Sequence, residues 1–100
     1  DIEHNDHLLE KYTLSNYPNP FNPSTIIAYS ILKYGYISLA IYDVKGNQVR
    51  ALVNEYKTPG KYRINWNGKN EKGIPVAGGV YFYSIRSGEF RETKKMIFLK

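Results

Sequence analysis

Short runs of alternating apolar and polar residues constrain this chain more than any other feature of its sequence. The clearest runs are Ile37 to Ile41 and Tyr62 to Trp66, where every second residue is apolar. A period of two is typical of a strand with one buried face, because successive side chains point to opposite sides. No segment repeats its apolar residues with a helical period, so we expect no helix.

Turn-forming residues recur about every 8–12 positions and divide the chain into short strands. Segments 43–47, 58–60, 67–73 and 87–89 each contain a glycine and predict turns. Between them, segments 26–32, 48–53, 80–86 and 92–99 add further strands to the two clear ones. Without a helical crossover to join parallel strands, this spacing favours an all-β fold, an antiparallel two-sheet β-sandwich of about seven strands.

The apolar positions of the alternating runs predict the core: Ile37, Leu39, Ile41, Tyr62, Ile64, Trp66, Tyr81, Tyr83 and Ile85. At 100 residues the chain is expected to form one domain, covering residues 14–100. Residues 1–13 are predicted to be a linker, since their polar start lacks periodicity. Prolines 18, 20 and 23 then predict an ordered, extended arm packed on the domain, with Tyr17 and Phe21 as apolar anchors.

Composition narrows the function classes. The chain has no cysteine, and no apolar run is long enough to span a membrane, so we expect neither disulfides nor direct membrane insertion. Its start lacks the pattern of a signal peptide, so an export signal would lie upstream or be this domain itself. The net charge is +5, but the basic residues are scattered. We interpret them as solvated strand faces and expect no nucleic-acid partner.

Candidate catalytic and metal-binding residues are few. His4 and His7 could share a metal only on a helix, and their segment shows no helical period. Because both lie outside the predicted domain, no serine has a histidine base within it. Gly78 and Gly79 precede a strand rather than a helix, so they do not predict a phosphate site. We therefore expect no enzyme activity, no cofactor and no metal.

Two exposed features remain as candidate interaction sites. Tyr34, Tyr36 and Tyr42 are predicted to face outward, where they would either cover the sandwich rim or stack on a sugar, base or protein. The sequence also stops at Lys100, directly after a predicted strand that carries Lys94 and Lys95. Lysines on such a strand either guard an edge against unwanted pairing or mark an edge that a partner extends.

Five collinear motifs resemble a known family, namely Tyr17–Thr25, Ile41–Gly46, Trp66–Gly68, Pro75–Tyr83 and Thr93–Lys100. Over residues 14–100 the chain resembles the type A C-terminal sorting domain of the Bacteroidetes type IX secretion system. It is also similar to the immunoglobulin-like domain of the flagellar hook-capping protein. The resemblance implies an immunoglobulin-like sandwich.

For function, the resemblance implies a non-catalytic signal that directs an N-terminally fused cargo from the periplasm across the outer membrane to the surface or medium. Its implied partners are the type IX translocon, outer-membrane shuttle proteins and a sortase that removes the domain within the linker. The residues that match the family's motifs, and so would be recognised, are Gly78, Gly79, Val80, Tyr81, Lys94, Lys95, Met96 and Lys100.

Two other functions stay open at this stage. The domain could be an accessory immunoglobulin-like or carbohydrate-binding module of a secreted hydrolase, which would use the outward tyrosines. It could also be a scaffold module of flagellar hook assembly, for which we would expect the domain to lie inside a longer chain. For the sorting function we expect the backbone of the closing strand to be open to a partner at a sheet edge.

Overall fold

The computed structural model describes residues 11–100, which form seven strands in two antiparallel sheets. The strands are β1 (Thr13–Tyr17), β2 (Thr25–Ile31), β3 (Gly35–Tyr42), β4 (Gln48–Lys57), β5 (Gly60–Trp66), β6 (Gly79–Ser87) and β7 (Phe90–Phe98). One sheet has the order β1-β2-β5 and the other β4-β3-β6-β7. The predicted all-β, immunoglobulin-like sandwich is therefore confirmed.

Two predicted turns close hairpins of the four-stranded sheet. Between β3 and β4, the Asp43 Oδ1 atom accepts hydrogen bonds from the amides of Lys45 and Asn47, both at 2.9 Å. These hydrogen bonds hold the pKa of the Asp43 carboxyl below its usual value, and the bond from the Asn47 amide has the largest effect. Gly46 in this turn has φ +86°, and Gly88 between β6 and β7 has φ +63°. Both are left-handed conformations that favour glycine.

The predicted turn at 58–60 has a different role from a hairpin. It joins β4 to β5, which lie in different sheets, since β4 pairs with β3 and β5 pairs with β2. The chain therefore crosses from one layer of the sandwich to the other at Pro59. Turn residues predict where a chain reverses, whereas the choice of pairing strand depends on contacts far along the sequence.

The first strand was not expected, because Thr13–Tyr17 belonged to the predicted linker and arm. Here it pairs with β2 along its whole length, and Leu14 is buried. Residues 18–24 follow it as the extended segment that the prolines predict. The arm, residues 18–24, therefore follows directly after a strand of the three-stranded sheet.

The core lies between the two sheets. Of the predicted core residues, seven are buried and two, Tyr62 and Ile64, are partly buried against it. The core also contains residues that the alternation did not single out: Leu14, Phe21, Ile27, Tyr29, Ile31, Val53, Met96 and Phe98. Their side chains extend the core into β1, β2, β4, β7 and the arm.

Candidate recognition edge on strand 7

The predicted recognition residues meet at one end of the β6–β7 hairpin. Strand β7 is an edge strand of its sheet, as expected, and pairs with β6 in antiparallel register. Gly79 lies opposite Phe98, Val80 opposite Ile97 and Tyr81 opposite Met96. Residues separated by more than a dozen positions in the sequence are thus neighbours across two strands.

The alternation of β7 divides these residues between the core and the surface. Met96 and Phe98 are buried, whereas Lys95, Ile97 and Leu99 are exposed. Tyr81 is buried too, and its hydroxyl donates a hydrogen bond to the carbonyl of Ala77 at 2.6 Å. Desolvation raises the pKa of the Tyr81 phenol. Tyr81 and Met96 therefore support this region from the core and do not contribute to its exposed surface.

The two glycines of the predicted site lie at the start of β6. A Cβ atom at Gly78 would come within 3.1 Å of the Phe98 carbonyl oxygen and 3.2 Å of the Lys100 Cβ. Gly79 has φ +144°, which residues with a side chain rarely adopt, although the space around it is open. Gly78 thus permits the close approach of the segment after β7, and Gly79 permits the backbone path into β6.

An aromatic cluster supports the hairpin from inside. The ring of Phe98 stacks on Phe21 of the arm with centroids 4.8 Å apart, and Trp66 contacts both rings at 5.7–6.1 Å. The indole Nε1 of Trp66 donates to the Lys69 carbonyl at 2.9 Å, so its polar atom is satisfied. The arm is thereby anchored through Phe21, which is 1% exposed. The prediction that Tyr17 also anchors the arm is wrong, because its side chain is 79% exposed.

The arm also occupies much of the outer edge of β7. The Phe21 amide donates to the Ile97 carbonyl at 2.9 Å, and the Leu99 amide donates to the Phe21 carbonyl at 2.8 Å. The Asn19 Oδ1 atom accepts from the Ile97 amide at 3.0 Å. The expectation of an open backbone is therefore wrong for residues 97–99, because a segment distant in sequence already pairs with them.

The hydrogen bonds from the arm do not extend along the whole outer edge of β7. Alternate residues of an edge strand direct their backbone groups away from the paired neighbour, so Arg91 and Thr93 share the outward orientation of Ile97. Within the described residues, the hydrogen bonds from the arm reach back only to the Lys95 carbonyl, to which the side-chain Nδ2 of Asn19 donates at 3.4 Å. The paired part of the edge thus runs from Lys95 to Leu99.

The three predicted lysines have distinct surroundings. The Lys100 ammonium donates to the Val76 carbonyl at 2.9 Å and lies 5.7 Å from the centre of the Phe98 ring. The Lys94 ammonium is 3.9 Å from a carboxylate oxygen of Glu92 on the same strand. Lys95 makes no ion pair within residues 11–100 and is exposed. Lys95 is thus the lysine best placed to meet a partner.

The predicted tyrosines do not form one strip. Tyr34 and Tyr36 are exposed as expected, but Tyr42 is partly buried at the far end of β3. Tyr56, which the sequence did not single out, packs against both Tyr34 and Tyr36. Its strand was expected to end at Val53 but continues to Lys57, and this extension brings Tyr56 beside them.

Other kinds of site find little support in the described part of the chain. Between Lys11 and Lys100, the acidic side chains form no group of three or more that could hold a metal ion. His4 and His7 lie outside the described residues. The same range contains no helix long and apolar enough to cross a membrane.

Three solved structures are similar to this chain. PorU from Porphyromonas gingivalis, described as dimeric and latent, matches 88% of this chain at 20% identity with a TM-score of 0.69. PorZ from the same organism matches 87% at 22% identity with a TM-score of 0.58. FlgD from Xanthomonas campestris, a flagellar hook-capping protein, matches 91% at 18% identity with a TM-score of 0.59.

At these identities the similarity establishes the fold, including the expected relation to the hook-capping protein. The chain covers 9% of PorU, 11% of PorZ and 69% of FlgD, so it spans only a small part of PorU and PorZ. No curated protein sequence matches it.

The family comparison is more specific than the fold. The model of the secretion system C-terminal sorting domain matches residues 15–99, which include all of β2 to β7 and the last three residues of β1. The matched range contains the arm and the β6–β7 hairpin, the two parts that build the recognition edge. This chain therefore belongs to the family of secretion system C-terminal sorting domains.

Proposed function

We propose that this domain is a non-catalytic sorting signal of type IX secretion, which directs an N-terminally fused cargo from the periplasm across the outer membrane. Membership of the sorting-domain family supports the sorting role. The type IX system is supported by the structural similarity to PorZ, described as an essential surface component of that system. The proposed partners are the translocon and outer-membrane shuttle proteins.

The observation that carries this proposal is the clamped geometry of β7. Strand β6 pairs with one side of the strand, and the arm pairs with the other side at Ile97 and Leu99. The buried rings of Phe21 and Phe98 lock the arm in place. Because pairing on both sides already orders the backbone of β7, a partner that binds its exposed side chains causes little further loss of backbone entropy.

This geometry favours recognition through side chains over addition of a partner strand. Strand addition at residues 95–99 would require the arm to leave, which would expose Phe21 and empty its place in the aromatic cluster. Loss of a buried phenylalanine typically costs about 3–5 kcal/mol. We therefore propose that Lys95 and Ile97 are the contact residues, and that Gly78, Gly79, Tyr81 and Met96 hold them in position.

The remaining predicted residues have proposed roles by their location. Val80 lies opposite Ile97 and would border the contact surface. By strand alternation Lys94 lies on the face of Met96, and the Lys100 ammonium lies over the Phe98 ring, so both would add positive charge at the border of this surface, which suits an acidic patch on the partner. We further propose that residues 1–13 form the linker to the cargo, that the sorting domain spans 14–100, and that a sortase cuts within the linker.

A charge reversal on the recognition edge tests the proposal. In a bacterium with a type IX system, a reporter cargo would carry this chain at its C-terminus, either unchanged or with Lys95→Glu. The matched control is Lys61→Glu, since Lys61 is also exposed on an edge strand but belongs to the other sheet. We expect Lys95→Glu to leave cargo in the periplasm and Lys61→Glu to reach the surface.

Equal export of both variants would contradict the proposed contact surface. Point substitutions are preferable to deleting residues 96–100, because that deletion would also remove the buried Met96 and Phe98 side chains. A deletion would therefore confuse a lost contact with a lost fold.

A further inference from the structure

Three tyrosines form an exposed aromatic platform at the opposite end of the four-stranded sheet. Tyr36 of β3 lies directly across from Tyr56 of β4, and Tyr34 precedes β3. Tyr34 and Tyr56 stack with centroids 5.6 Å apart and planes 16° from parallel, while Tyr36 meets Tyr56 edge-on at 5.2 Å. The three residues are 65%, 63% and 47% exposed for Tyr34, Tyr56 and Tyr36.

These rings hold one another in place without being buried. Exposed tyrosines usually move freely, whereas rings that contact a neighbour on one side lose less entropy when a ligand covers the other side. Exposed aromatic side chains that contact one another, rather than lying singly, commonly mark binding sites. The tyrosine platform, defined as Tyr34, Tyr36 and Tyr56, is therefore suited to stacking.

A groove lies beside the tyrosine platform and shares two of its residues. Its lining includes Tyr34, Tyr36, Lys33, Ser87 and Glu89. Tyr12 and Phe90 also line it, with their rings stacked at a centroid distance of 4.3 Å. The groove thus combines aromatic faces with a hydroxyl, an ammonium and a carboxylate.

We propose that the tyrosine platform and its groove bind a neutral polysaccharide. The faces of sugar rings carry apolar C–H groups that pack on aromatic rings, and their edges carry hydroxyls that need donors and acceptors. The groove supplies both kinds of contact. Lys33 and Glu89 contribute one positive and one negative charge to its lining, so the site has no net charge to select an ionic ligand.

The lining also argues against a peptide as the preferred occupant. A peptide held by an apolar groove needs pockets for aliphatic side chains, while the lining of this groove includes an ammonium, a carboxylate and a hydroxyl group. The hydroxyls of three exposed tyrosines add further hydrogen-bonding groups around the rim.

The proposed sugar site is separate from the recognition edge. Phe90 borders the groove at the start of β7, whereas Phe98 supports the recognition edge at its end. Eight residue steps along a strand correspond to about 26 Å. The inference therefore goes beyond the sorting function and does not depend on it, since both surfaces can be occupied together.

Tyr42 does not belong to this site. It lies six residues beyond Tyr36 on β3, or about 20 Å away. There it lines a separate shallow groove together with Val44 and Phe82. Of the three tyrosines that the sequence singled out, two therefore contribute to the tyrosine platform, and Tyr56 completes it.

Affinity electrophoresis of the 100-residue chain in gels containing hydroxyethylcellulose, xylan or galactomannan tests the proposal. We expect at least one of these neutral polysaccharides to retard the protein. Tyr34→Ala and Tyr56→Ala should each weaken the retardation by about tenfold or more, because each removes a stacking face. Tyr34→Phe should retain most of it, since the ring remains.

Tyr17→Ala is the matched control, because Tyr17 is 79% exposed but lies at the other end of the molecule. It should bind as the unchanged chain does. The proposal is overturned if no neutral polysaccharide retards the chain, if Tyr17→Ala loses as much as Tyr56→Ala, or if only a charged polysaccharide or a peptide binds. Export assays of the same variants keep this result independent of the sorting function.

Discussion

The side chain of Asn19 takes the place of a neighbouring strand for Ile97. Its Oδ1 atom accepts the Ile97 amide at 3.0 Å, and its amide nitrogen reaches the Lys95 carbonyl at 3.4 Å. One side chain thus contacts the two backbone groups that a paired strand would otherwise bind. Native proteins commonly protect exposed strand edges by covering them.

Asn19→Ala should loosen the edge without unfolding the domain. Since an average hydrogen bond contributes about 1 kcal/mol, we expect a loss of this size in unfolding free energy. Amide hydrogen exchange should accelerate at Ile97, whereas Leu99 should stay protected through its bond to Phe21. Asn22→Ala is the control, because Asn22 is exposed in the same arm and its side chain makes no hydrogen bond within residues 11–100. Unchanged exchange at Ile97 in Asn19→Ala would show that the side chain does not protect the edge.

Gly68→Ala should be more harmful than an alanine at a comparable turn glycine. A Cβ at position 68 would lie 2.7 Å from the Phe98 ring, and the backbone there has φ +75°. Conformational strain and overpacking together predict a loss of about 2–4 kcal/mol. Gly73 has φ +79° but open space around it, so Gly73→Ala should lose only about 1 kcal/mol. Denaturant unfolding compares the two, and equal losses would show that Phe98 moves aside freely.

Alkaline pH should destabilise the domain through two buried phenols. Burial raises the pKa of Tyr83 to about 12, with a smaller contribution from the nearby Glu92 carboxylate. The pKa of Tyr29 is also raised to about 12, mainly by burial and to a smaller extent by the charges of Tyr62 and Glu55. Because the unfolded phenol ionises near pH 10, their stabilisation is complete below that pH and is lost as the pH rises toward 12.

The size of this effect can be measured on Tyr83→Phe. The difference between a pKa of about 12 in the folded state and about 10 in the unfolded state corresponds to at most about 2.7 kcal/mol of unfolding free energy for each phenol. The unfolding free energy of Tyr83→Phe should therefore fall less between pH 10 and 12 than that of the unchanged chain. Parallel curves for the two proteins would contradict the assigned role of Tyr83.

The sequence predicted the parts of this fold that depend on local pattern. Alternation identified Ile37, Leu39 and Ile41 as inward-facing, and glycine marked the turns near Asp43 and Gly88. These features follow from the side-chain period of a strand and from the backbone freedom of glycine, both of which can be deduced from neighbouring residues.

Long-range pairing could not be predicted in the same way. Asn19 and Ile97 are 78 positions apart, and neither residue type indicates the other. The prolines of the arm also concealed β1, because they interrupt the apolar pattern just after Tyr17. For the candidate site, motifs located the β6–β7 hairpin, but only the structure distinguishes the buried Met96 from the exposed Lys95.

The most direct test of the account concerns Ile97, which is 36% exposed at the centre of the recognition edge. Its matched control is Ile26, which is 39% exposed on β2 of the other sheet. With a reporter cargo in a type IX bacterium, the ratio of surface to periplasmic cargo should fall sharply for Ile97→Asp and stay unchanged for Ile26→Asp, while both domains keep similar unfolding temperatures. If Ile97→Asp reaches the surface as well as Ile26→Asp does, the outward side chains of β7 are not what the export machinery recognises.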